Sequence, residues 1–171
     1  DYETKSSYTA IVTATDGVNT TTQNITVTVT NENDIAPVFT SEATFSAAEN
    51  QTAIGTVTAS DLEGDAVTFT VSGSELAITS AGVLTFASTP DYETKTSYTA
   101  TVTATDGANP TTQDITVNVT NVNEAPSFTS NATFSAAENQ TAIGTVTAVD
   151  VDGDSVTFTI FGSELAITSA G

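Results

Sequence analysis

Asp61-Leu62-Glu63-Gly64-Asp65 and Asp150-Val151-Asp152-Gly153-Asp154 each place three acids at alternate positions around a glycine turn. That spacing converges carboxylates on one point. Converging carboxylates do two kinds of chemistry. As oxygen donors they hold hard cations, calcium taking six to eight oxygens at about 2.3–2.6 Å. As a pair they can serve as acid and nucleophile in glycoside hydrolysis. Both loops are shorter than an EF-hand loop and lack its terminal glutamate. Magnesium suits them less, because it keeps its waters. The chain has no His and no Cys, which removes thiolate and imidazole metal sites and nucleophile–base pairs.

Twenty-one acidic residues stand against two lysines, Lys5 and Lys95, for a formal net charge of −19. Two lysines cannot neutralise a phosphate backbone, so nucleic acid is excluded as a partner. Anionic membrane surfaces repel such a chain, and no apolar run is long enough to span a bilayer. No leader segment is visible at the start. Absence of Cys fits a protein that does not depend on oxidative folding. Only 13% of residues are charged, so the acids are clustered, and clustered carboxylates call for a counter-charge that two lysines cannot supply.

The elements that must position these acids repeat. Asp1-Tyr2-Glu3-Thr4-Lys5 returns as Asp91-Tyr92-Glu93-Thr94-Lys95, 90 residues on, and Phe45–Ala59 returns unchanged as Phe134–Ala148, 89 residues on. Gly73–Gly82 returns as Gly162–Gly171. The shift of one falls where Asn31-Glu32-Asn33-Asp34-Ile35-Ala36-Pro37 becomes Asn121-Val122-Asn123-Glu124-Ala125-Pro126. A unit of this length is a whole domain rather than a solenoid repeat. Residues 1–33 are expected to be the C-terminal half of one unit, 34–121 a complete unit, and 122–171 the N-terminal half of the next.

Within the complete unit, threonine alternates with apolar residues, as in Tyr98-Thr99-Ala100-Thr101-Val102-Thr103-Ala104. Period-two patterns of β-branched residues give strands with one apolar and one hydroxylated face. Seven strands are expected, over 43–48, 53–60, 66–72, 75–79, 83–88, 97–105 and 113–120. Seven short amphipathic strands with Asp-Gly turns read as an all-β Greek-key sandwich, Ig-like in plan. Phe39, Phe45, Phe69, Phe86, Tyr92 and Tyr98 are expected to pack the core.

In such a sandwich the acids fall at strand ends. Glu49, Asp91 and Glu93 share one pole with the linker at 121–124, and Asp61, Glu63, Asp65 and Asp106 share the other with the linker at 31–34.

Five motifs in this order resemble the cadherin repeat in its bacterial form. Ala48-Glu49-Asn50 is similar to the family's Pro-Glu-Asn, Asp61-Leu62-Glu63-Gly64-Asp65 to its Asp-x-Asp turn, and Asp91-Tyr92-Glu93 to its Asp-Arg-Glu. Ala104-Thr105-Asp106-Gly107 is similar to its Ala-x-Asp-x-Gly, and Val29–Phe39 to its Asp-x-Asn-Asp-Asn-x-Pro-x-Phe linker. The resemblance covers essentially the whole chain. It implies up to three calcium ions between successive repeats. On that basis Asp1, Glu3, Asn31, Asn33 and Asp34 meet Asp61, Glu63, Asp65 and Asp106 at the first junction. At the second, Glu49, Asp91, Glu93, Asn121, Asn123 and Glu124 meet Asp150, Asp152 and Asp154. The chain departs from the family where the linker's leading Asp is Asn31 or Asn121, where its second Asp is Glu124, and where its last Asn is Ile35 or missing. Two ions per junction are therefore expected. The first junction lacks a Glu, and the second an Asp, that complete neighbouring units would offer. Their counterparts in this chain are Glu138 and Asp16, which raises head-to-tail docking of half-units between molecules.

The function this implies is a calcium-stiffened extender in a large secreted adhesin at the bacterial cell surface, as in repetitive (RTX-type) biofilm adhesins. Neighbouring repeats of the same chain are the expected partners. A carbohydrate-binding module is the alternative. Homophilic adhesion lacks its docking Trp, and acids at inter-domain poles do not form an enzyme's cleft.

Overall fold

The structure is a computed structural model that describes residues 1–162 and 164–171. It is all-β; among the described residues there is no helix, and so none long and apolar enough to cross a membrane. A hairpin of β1 (Ser7–Thr15) and β2 (Thr20–Thr28) comes first. The middle of the chain holds β3 (Val38–Phe39), β4 (Thr44–Ala48), β5 (Ala53–Thr56), β6 (Ala59–Ser60), β7 (Thr68–Val71), β8 (Leu76–Ile78), β9 (Val83–Phe86), β10 (Ser97–Thr105) and β11 (Pro110–Thr120). A short pair, β12 (Ser127–Phe128) and β13 (Ala148–Val149), follows.

The middle segment is a sandwich. One sheet runs β4-β11-β10-β7, the facing one β5-β9-β8, with β3-β6 as a small third sheet. Alternation decides what lies between them. Val102 and Ala104 of β10, Ile115, Val117 and Val119 of β11, and Phe69 of β7 are buried against Leu76, Leu84 and Phe86. The intervening threonines face outward. Phe86 meets Tyr98 edge-on, with ring centroids 5.0 Å apart, a geometry aromatic quadrupoles favour. Phe39, Phe45 and Tyr92 pack around this core.

Two strand expectations need correction. The single strand expected over 53–60 is two, because the chain changes sheets at Val57. The Val57 N–H donates to the Gly82 carbonyl (2.9 Å), while the Thr58 N–H donates to Ser41 Oγ (3.1 Å) and its carbonyl accepts from the Thr40 N–H (2.8 Å). β5 thus pairs β9, and β6 pairs β3. Val38–Phe39, read as linker, is the second strand of that small sheet.

This topology brings the acids together. β4 lies parallel to β11, so Glu49, just past β4, ends beside the chain leaving β11. β10 is antiparallel to β11, so the Asp91–Glu93 turn before β10 reaches the same pole. The loop between β6 and β7 and the β10–β11 turn lie at the opposite pole.

Candidate metal centre

Glu49 is the one buried charged residue among those described. Its two oxygens accept from different segments, one from the Tyr92 N–H (2.9 Å) and the other from the Val122 N–H (2.8 Å). It therefore ties the Asp91–Glu93 turn to the outgoing linker. Asp91 caps its own turn, accepting from the Thr94 N–H (3.1 Å) and Thr94 Oγ1 (3.0 Å).

Three carboxylate groups converge within 4.8 Å: Glu49 with Asp91 and Glu93; Glu93 with Glu124 and Asp152; and Asp61 with Glu63 and Asp65. Glu93 belongs to two of them, so the second junction is one continuous cluster drawing on the middle sandwich, the linker and the loop beyond it. Asp152 Oδ2 accepts from the Glu124 N–H (2.7 Å), and Asn50 Nδ2 donates to Glu124 Oε1. Desolvation, and then the neighbouring charges of Glu49, Asp152 and Glu124, push the Glu93 carboxyl above the usual glutamate range. The cluster is short of positive charge.

At the opposite pole Asp61 Oδ1 accepts from the N–H groups of Glu63 (2.9 Å) and Asp65 (3.3 Å). The glycine between them, Gly64, has φ +87°, which lets the loop fold back on the aspartate. Glu63 Oε2 accepts from the linker N–H groups of Asp34 (3.0 Å) and Ile35 (2.9 Å). Asn33 Oδ1 accepts from Asn109 Nδ2 (2.6 Å). Asp106 accepts from the N–H groups of Ala108 (2.7 Å) and Asn109 (2.6 Å); those bonds, Asn109 first, hold its carboxyl below the usual aspartate range. Asp16 is lowered in the same way, chiefly by the N–H groups of Asn19 and Val18.

The donor set fits calcium on two observations. Two oxygens sharing an ion at about 2.4 Å can be no more than about 4.8 Å apart, and each group meets that limit. Asp61 Oδ2, Glu63 Oε1, Glu124 Oε2 and Asp152 Oδ1 are each buried without a hydrogen-bond partner. Buried anionic oxygens without partners are costly, and all four belong to the groups that would share an ion. Thiolates and imidazoles being absent, only a hard, oxygen-seeking cation suits them.

Of the expected ligands, Glu49, Asp61, Glu63, Asp65, Asp91, Glu93, Glu124 and Asp152 are brought together. Asp1, Glu3, Asp16, Asp34, Asp106, Glu138, Asp150 and Asp154 join none of these groups. Asp150 instead turns its Oδ1 to the N–H groups of Asp152 (3.1 Å) and Asp154 (3.3 Å). The side chain of Asn123 donates to the Glu124 carbonyl (3.1 Å); Asn31 and Asn121 lie exposed in the linkers. Sequence reading did not single out Asn109 and left the side chain of Asn50 without a role. The recurrence of Asn19 as Asn109, three residues past each Asp-Gly aspartate, was the signal for the first.

No protein-family model matches the chain, and no curated protein matches it. Solved structures do. A protocadherin gammaB7 EC3-6 cis-dimer structure aligns at TM-score 0.62 and 24% identity over 88% of this chain and 45% of that one. Mouse cadherin-23 EC22-24 aligns at 0.61 and 22% over 99% of this chain and 63% of that one. Chicken VE-cadherin EC1-2 aligns at 0.54 and 22% over 70% of each. The chain spans less than two thirds of the first two. At these identities the likeness establishes the fold alone, an all-β, cadherin-like β-sandwich.

Proposed function

We propose that this chain is a run of cadherin-like repeats that acts as a calcium-stiffened extender in a surface adhesin, secreted and displayed outside a bacterial cell. On this reading 34–121 is a complete unit, flanked by the rear of one unit at 1–33 and the front of another at 122–171. The carrying observation is the cluster of Glu93, Glu124 and Asp152, which draws one carboxylate each from sandwich, linker and following loop. Glu49, Asp91, Glu93, Glu124 and Asp152 would hold calcium at the second junction, and Asp61, Glu63 and Asp65, beside Asn33 and Asp34, at the first. The bound ion supplies the positive charge that the chain itself lacks.

The mechanism is electrostatic. Like charges within a few ångströms destabilise the ordered junction. The linker is held on one side by Glu49 and on the other by Asp152, so neutralising both sides favours one ordered arrangement. Ligand that binds only the ordered state stabilises it by mass action. Extracellular calcium modules have dissociation constants near 10⁻⁴–10⁻³ M, which sets the response to external calcium.

Thermal unfolding in a few millimolar calcium, in equal magnesium, and in excess chelator tests this. The midpoint rises with calcium and much less with magnesium. Identical midpoints in all three would overturn the reading.

A further inference from the structure

The side chain of Asn50 is the polar group at the second junction that the three carboxylate groups leave without a role. Asn50 follows Glu49 directly and sits at φ +61°. The backbone there is fixed on both sides. The Glu49 N–H donates to the Thr120 carbonyl (3.1 Å), and the Asn50 N–H donates to the Pro90 carbonyl (3.1 Å). Asparagine tolerates the left-handed region better than most residues, which explains the residue type without its amide. The same φ, +62°, recurs at Asn139 in the repeated Ala-Glu-Asn, so the turn belongs to the local sequence. It does not explain where the side chain goes. Asn50 Nδ2 crosses to the linker and donates to Oε1 of Glu124, 74 residues further on.

Glu124 is held at three points. Its N–H donates to Asp152 Oδ2 (2.7 Å), its carbonyl accepts from Asn123 Nδ2 (3.1 Å), and its Oε1 accepts from Asn50. The polar atom left over is Oε2, which is buried without a partner, on a residue that converges with Glu93 and Asp152. A glutamate has one more torsion to fix than an aspartate before its oxygen can be aimed, and fixing it costs conformational entropy. A carboxamide is suited to that task. It donates through its nitrogen and carries no charge, so it leaves intact the negative charge that attracts a cation. A lysine in its place would cancel part of that charge.

We infer that Asn50 is a positioning residue of the metal centre: it occupies Oε1 of Glu124 and so leaves Oε2 as the single oxygen that Glu124 offers to the ion shared with Glu93 and Asp152. The consequence for the ion rests on the calcium reading; the Asn50–Glu124 contact does not. Together Glu49 and Asn50 give the turn after β4 two holds on the linker, one on the Val122 N–H and one on the Glu124 side chain.

Calorimetric calcium titration, and thermal unfolding in excess chelator, test this on the whole chain with Asn50→Gly and Asn50→Asp, each with and without Glu124→Ala. Glycine accepts φ +61°, so Asn50→Gly removes the amide and keeps the turn. It is expected to weaken calcium binding about tenfold, the lower end of what loss of a ligand-orienting partner costs, and to weaken it no further once Glu124 is replaced. Asn50→Asp also keeps the turn but sets a like charge against Glu124. In chelator it lowers the unfolding midpoint, and by less when Glu124→Ala is present. Equal calcium affinity of wild type and Asn50→Gly, or the same loss with and without Glu124→Ala, leaves Asn50 a turn residue and overturns the proposal. So does an Asn50→Asp midpoint in chelator that Glu124→Ala does not restore. A wild type that takes up no calcium overturns the calcium reading and the ligand-positioning role with it, while the chelator midpoints still report the Asn50–Glu124 contact, so the two failures are told apart.

Discussion

Glu49 and Glu93 stand a few ångströms apart and do different work. Glu49 is buried and satisfies two backbone N–H groups from separate segments. Charged acceptors of this kind are worth about 1.5–3 kcal/mol each. With two such bonds, Glu49→Ala is expected to lower unfolding free energy by about 3–6 kcal/mol even in chelator, as read by denaturant titration; a loss seen only in calcium would refute the bridging role. Glu93 makes no such bond and faces like charge. Glu93→Gln relieves repulsion, so in chelator it leaves the midpoint unchanged or raises it, while calcium affinity falls by roughly tenfold or more. Calorimetric calcium titration of the variant reads that split. The pH dependence has a definite sign. The folded-state value of Glu93 is raised, so its stabilising contribution is full below the ordinary glutamate value and is lost as pH rises through the raised one. Asp106 is lowered, so its contribution is present above the ordinary aspartate value and fades as pH falls below it. In chelator, stability therefore rises as pH is brought down from neutral toward the glutamate range and drops again below the aspartate range. A monotonic loss from neutral downward would contradict the repulsion argument.

At the scale of elements, Gly82 shows how the sandwich is closed. It has φ +86°, and any Cβ there would meet the Val57 carbonyl that faces it and the Phe69 ring. Gly107 has φ +104° with open space around it. Gly107→Ala is expected to cost about 1–3 kcal/mol from backbone strain alone, and Gly82→Ala clearly more; equal costs by denaturant titration would deny the close approach. Strand β10 was legible to the residue because its apolar and threonine positions alternate from end to end, which fixes its faces; β11 was read only from 113, because Pro110–Asp114 carry no apolar alternation and are held by pairing with β10. The stretch 53–60 was not, because alternation continues while the chain passes from β9 to β3. What moves it is the Ser41 hydroxyl and the Gly82 carbonyl, partners distant in sequence. Val38–Phe39 is two residues long and gives no period to read. The poles at which Glu49, Asp91, Glu93, Asp61 and Glu63 gather were legible from strand ends. The buried oxygens of Glu124 and Asp152 were not, since they depend on how linker and loop fold onto each other.

For the whole molecule, most of the charge of −19 sits in loops between strands and in the two linkers, Asp114 within β11 being an exception. The sides of the sandwich are mostly threonine methyl and hydroxyl groups. Such a chain keeps its repulsion at the joints, where a cation that binds carboxylates changes the most. The two joints differ, the first having Ile35 where the second is one residue shorter, and Asp34 where the second has Glu124. Small-angle X-ray scattering of the 171-residue chain at low concentration, in chelator and then in a few millimolar calcium, reads stiffening itself. A longer maximum dimension and a narrower range of shapes are expected in calcium, with Asp152→Asn needing more calcium to reach them. Superimposable scattering profiles in the two media would contradict it.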